Sequence, residues 1–144
     1  MLGKFKFDKE IFNMKKKSIL SLLFVISLLP MFLNQYGAAK GVQEITGLIN
    51  LVNPIGLFSV CVFFVGVLGE FKKQNIGKIF GAVGVLGVVA SEIYQYFTWH
   101  TLTITGEISL QHSLHLAFPE FYFGLIVSLV MVVAYFVIEI NIKD

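Results

Sequence analysis

The chain has 144 residues, 56% of them hydrophobic and 14% charged, with a formal net charge of +2 and one cysteine. So apolar a composition argues against a soluble domain of this length and leaves no room within it for a separate soluble one. A lone cysteine excludes an intramolecular disulfide and paired-thiol redox chemistry, and lysines set beside apolar segments point to anionic lipid rather than nucleic acid.

Residues 1–17 hold Lys4, Lys6, Lys9, Lys15, Lys16 and Lys17 and read as a basic cytoplasmic N-terminus. Four apolar segments follow, at about 18–33, 54–71, 76–97 and 119–140. A helix of about 20 apolar residues crosses a hydrocarbon core of roughly 30 Å, and a backbone in lipid must pair its own amides, so each segment is expected to be a helix. Asn53 before Pro54, and Glu120 after Pro119, suit clean helix starts. The predicted fold class is an all-α membrane protein, one integral membrane domain over residues 1–144 with four transmembrane helices in two hairpins.

The first segment has a rival reading as a secretory signal peptide, with Gly37 and Ala39 as a small-x-small cleavage site. The 13 residues before Met14 make a long, partly acidic leader, which favours an uncleaved helix. The loops at 34–53 and 98–118 are too apolar to be simple linkers. Val42, Ile45, Ile49 and Val52 share a helical face, so the first is expected to lie as a short helix on the headgroup layer. Thr101 to Thr105 alternates as a short strand does, and the two loops together would cap the bundle.

Ten of the eleven lysines fall on one side of this topology, Lys40 being the exception, and the positive-inside bias puts both termini in the cytoplasm. Tyr94, Tyr96, Phe97, Trp99 and Tyr122 would form an outer aromatic belt. Ile45-Thr46-Gly47 recurs as Ile104-Thr105-Gly106, and Gln35-Tyr36 as Gln95-Tyr96, which suggests a parallel 2+2 repeat. The lysine-rich, arginine-free composition suits a bacterial plasma membrane protein.

Small residues form stripes at helical spacing: Gly77, Gly81, Gly84, Gly87 and Ser91 on the third segment, Gly56, Ser59, Gly66 and Gly69 on the second, and Gly124, Ser128 and Ala134 on the fourth. Such stripes let helix backbones approach closely. Cys61 is read as a packing residue. Glu92 and Gln95 share the glycine face, which turns an ionisable group costly in lipid toward the interior.

With His100, His112 and His115 they make a candidate polar pocket. The three-residue spacing of His112 and His115 raises a metal site completed by Glu107 or Glu120, if that segment is helical, but interfacial histidines are the default and no metal is assigned.

There is no phosphate-cradling glycine loop, HExxH, GxSxG or CxxC, and nothing calls for a cofactor or a catalytic residue. The expected function is non-enzymatic: helix packing and outer-loop contacts with a membrane-protein partner or a second copy, as in an accessory subunit, an envelope complex or an immunity-type protein. The alternative is a small transporter or ligand-binding protein with an outward-opening pocket around Glu92.

Overall fold

The chain's three prolines fix three helix boundaries in the computed structural model, which describes residues 2–69, 71 and 74–141. Helix α1 (Leu2–Ser27) gives way to a 3₁₀ turn at Leu29–Phe32 that contains Pro30. Pro30 has no N–H to continue an α-helical ladder, so α1 ends six residues short of the expected limit at Leu33. Its start corrects the sequence reading as well, because the basic segment is helical from Leu2 onward.

Helices α3 (Pro54–Leu68) and α6 (Pro119–Asn141) begin on the other two prolines, and α4 (Gln74–Thr98) lies between them. The Asn53 side chain caps α3, accepting from the amides of Ile55 at 2.9 Å and Gly56 at 3.0 Å.

The four long helices alternate in direction, and the protein is mostly helical. Lys16 of α1, Gly66 of α3, Gly77 of α4 and Glu139 of α6 gather at one end. Helix α3 packs most extensively on α4, α4 on α6, and α1 on both α6 and α3.

The glycine stripes carry the α3–α4 contact. A Cβ at Gly66 would strike the backbone of Gly81, one at Gly84 would stand 2.6 Å from the Phe63 Cα, and one at Gly87 would strike Ser59. Leu20, Phe24, Phe63, Val85, Met131 and Tyr135 fill the centre, with the Phe24 and Phe63 rings stacked 3.8 Å apart.

Two helical stretches, Asn75–Thr98 and Pro119–Ile140, are long and apolar enough to cross a membrane; α3 is apolar but shorter. By that measure the four expected spans reduce to two. Only 39% and 28% of the two stretches is buried, unlike the enclosed central helix of a soluble domain. Their outward faces carry Leu86, Ile93, Ile126, Val130 and Val133. Cys61 also faces outward, so it is not the packing residue expected.

The two connections expected to be outer loops depart from the sequence reading. The first is a hairpin, β1 (Asn34–Tyr36) antiparallel to β2 (Ile45–Thr46), followed by the one-turn helix α2 (Ile49–Val52). Gly37 (φ 101°) and Gly41 (φ 84°) turn the chain between the strands.

In the second, Thr101–Thr105 is a π turn and not a strand: the amide of Thr105 donates to the His100 carbonyl and that of Gly106 to Thr101. Among the described residues no strand pairs with this segment, and its backbone bonds close locally. Helix α5 (Leu110–Leu116) follows. The paired Ile-Thr-Gly motifs thus take different conformations, a strand in one copy and a π turn in the other, and the sequence likeness is not carried into local structure.

Candidate functional site

At the end opposite Lys16 and Glu139, the two outer connections are laced into one cap. The amides of Gly37 and Ala38 donate to the Leu116 carbonyl, and that of Phe118 to Gln35. Beneath them Tyr36, Tyr96, Trp99 and Phe121 form a buried aromatic cluster, with the Tyr96 and Phe121 rings stacked 4.7 Å apart. Tyr96 and Trp99 are therefore core residues rather than belt residues; Tyr94 and Tyr122 are the tyrosines that face outward.

A chain of neutral polar side chains runs below the cap. The Tyr36 hydroxyl donates to Asn50 Oδ1 at 2.7 Å, and Asn50 Nδ2 donates to Gln35 Oε1 at 2.9 Å. Gln35 Nε2 donates to the Pro30 carbonyl, while Asn53 Nδ2 donates to the Asn50 carbonyl and to Ser91 Oγ, at 2.6 Å for the latter. Tyr36, Gln35, Asn50 and Ser91 are all within 1% of full burial.

Buried amides need partners, and this network supplies them from four separate stretches of chain, at Pro30, Gln35–Tyr36, Asn50–Asn53 and Ser91. Burial pushes the Tyr36 phenol above its ordinary range, and the Glu92 carboxylate adds to the rise, so Tyr36 stays a neutral donor.

The five residues proposed from the sequence do not form one pocket. Glu92 is 1% exposed and meets α6, accepting from Ser128 Oγ at 2.7 Å; its other oxygen, Oε2, is buried without a hydrogen-bond partner. Gln95 is buried one turn further on. His100 lies just past the end of α4, roughly 12 Å along the axis from Glu92 at 1.5 Å per residue.

The His100 ring is fully enclosed, with Nδ1 2.8 Å from Thr105 Oγ1 and Nε2 3.0 Å from Ser113 Oγ. Both hydroxyls are also anchored to backbone, Ser113 Oγ donating to the Ser109 carbonyl at 3.0 Å and Thr105 Oγ1 to the Glu107 carbonyl at 3.1 Å, so the ring is held from both nitrogens. Burial lowers the His100 pKa, with His112 adding to the effect.

His112 and His115 do lie on one helix, α5, but they part company there. His112 is half-buried, its Nδ1 3.7 Å from Glu107 Oε1, and His115 is exposed. Among the described residues no three His, Cys, Asp or Glu side chains converge as metal ligands would.

The outward surface of the cap carries a group of exposed apolar side chains, Ile108 69%, Leu110 58% and Leu114 54%, beside exposed polar ones such as Lys40, Glu44 and His115. The sequence signal for the buried network was Asn50 and Gln35, amides set in apolar surroundings. Compared with protein-family models, with curated proteins and with solved structures, the chain matches none.

Proposed function

We propose that this is a non-enzymatic, four-span protein of a bacterial plasma membrane. Both termini lie in the cytoplasm, and it acts by presenting the exposed apolar side chains of the outer cap to a membrane-protein partner. The observation that carries this reading is an inverted polarity. Asn50, Ser91, Glu92 and His100 are enclosed, while Leu22, Phe58, Leu86 and Val130, one from each long helix, are exposed.

Water would favour the opposite arrangement, and lipid favours this one. α3 covers about 22 Å at 1.5 Å per residue, so it reaches across most of the hydrocarbon core, with α2 and its cap extending it outward. α1 is held by Leu20 and Phe24 in the core, which supports a retained first helix.

The cap supports recognition because Ile108, Leu110 and Leu114 lie on and just before α5, which is fixed from beneath by the His100 and Ser113 contact. A photo-crosslinking residue at position 114 should yield one discrete adduct in cells that Ile108→Lys removes, whereas the same probe at Val130 should yield lipid adducts only. Leu114→Lys should leave thermal stability in detergent within about 0.5 kcal/mol. No adduct at 114 sinks the partner reading, and release of the protein by alkaline carbonate washing sinks the membrane reading.

A second reading, ion or proton handling at Glu92, draws support from the orphaned Oε2. Glu92-dependent flux in reconstituted vesicles would favour it over partner binding.

A further inference from the structure

The inner end of the bundle holds a cavity of about 270 Å³ bounded by residues of all four long helices. Its wall carries Lys16 and Lys17 from α1, Lys78 from α4 and Glu139 from α6. Lys16 Nζ lies 2.8 Å from Glu139 Oε2 and Lys78 Nζ 3.5 Å from the same oxygen, so one carboxylate draws two ammonium groups to the cavity edge. Lys17 adds a further cationic side chain to the same wall, beside the Lys16–Glu139 pair.

Gly66 and Gly77 line it where the α3 and α4 backbones meet too closely to admit a Cβ on either. Leu20 and Val67 make part of its lining apolar. The Tyr135 hydroxyl donates to the Lys78 carbonyl at 2.8 Å, which fixes the backbone beneath that lysine.

We infer that this cavity is a binding site for the phosphate headgroup of an anionic phospholipid of the inner leaflet. The inference rests on the membrane orientation proposed above. A cationic rim over an apolar lining, between helices and at the level of the lysine-bearing ends, matches an amphiphile with a negative head. A soluble anion would gain nothing from Leu20 and Val67. The volume lies just under the roughly 300–1,000 Å³ of small-molecule pockets and suits a headgroup with its glycerol rather than a whole lipid.

The test is native mass spectrometry of the full chain in detergent, titrated with phosphatidylglycerol, phosphatidylcholine and glycerol 1-phosphate. Phosphatidylglycerol should bind at least tenfold tighter than phosphatidylcholine, and Lys17→Gln and Lys78→Gln should each weaken it about fivefold. Lys15→Gln removes the same charge from an exposed position outside the cavity and should leave the preference intact.

Equal binding of the two lipids, or equal loss with Lys15→Gln, overturns the site while leaving the membrane reading standing. Glycerol 1-phosphate binding as tightly as the lipid overturns the headgroup assignment in favour of a free phosphate ester. If Lys78→Gln fails to fold, Lys17→Gln with Lys17→Arg as the charge-retaining control decides the matter. A chain that stays monodisperse without detergent would instead bring down the membrane reading on which this inference rests.

Discussion

The two ends of the bundle are closed with opposite chemistry, one by neutral side chains and the other by charged ones. The outer end is closed by neutral groups: Tyr36, Asn50, Gln35 and Asn53 exchange hydrogen bonds under a lid of aromatic rings. The inner end is held by charge, Lys16 and Lys78 on Glu139, and it encloses an open space. Neutral amides lose little on burial once paired, so they can be sealed. Ammonium and carboxylate groups lose much more on dehydration, so here they are held as a close ion pair beside an open cavity.

The contrast predicts a ranked series of losses. Asn50→Leu should be the most damaging, because it orphans both the Tyr36 hydroxyl and the Gln35 carbonyl oxygen; about 2–4 kcal/mol of thermal stability in detergent should go. A loss below about 1 kcal/mol would show that the outer network is not sealed.

Glu139→Gln should cost less, about 1–2 kcal/mol, since its lysines can turn toward solvent when the carboxylate is neutralised. If it matches Asn50→Leu, the inner end is as dry as the outer and the comparison fails.

The smallest effect is a pH dependence confined to the outer end. His100 has a lowered pKa in the fold, so the unfolded chain takes up a proton first as pH falls. Its contribution to stability is complete well above the ordinary value of about 6.5 and declines as pH drops below it, by up to about 1.4 kcal/mol per pH unit. Melting in detergent at pH 7 and pH 5 should show this slope, and His100→Gln should flatten it.

The starts of α3 and α6 were legible because Pro54 and Pro119 announce them and Asn53 is a cap by its chemistry. The glycine stripes gave the α3–α4 contact for a similar reason, since only spacing was needed. What escaped was set by distant partners. Thr101–Thr105 has the alternation of a strand, yet strand identity depends on a neighbour that the fold does not provide.

Tyr96 and Trp99 have the residue types of an interfacial belt, but Tyr36 and Phe121 arrive to enclose them. Lys16 and Glu139 are separated by 123 positions, so nothing local signals their pairing. In the candidate pocket, Glu92 and Gln95 were correctly placed on the interior face by helical period. His100 is placed by the turn after α4, and His112 and His115 by where that turn sets α5, neither of which helical period describes.

Gln35 occupies a slot whose walls are two glycines. A Cβ at Gly47 would run into the Gln35 carboxamide, and one at Gly124 would stand 2.8 Å from its Nε2. Residues 35, 47 and 124 therefore act as three interlocking teeth, one from the hairpin, one from the approach to α2 and one from α6. Enlarging either glycine leaves no berth for the amide, so viable changes at these positions should come as matched sets, a longer residue at one tooth accompanied by a shorter one at 35.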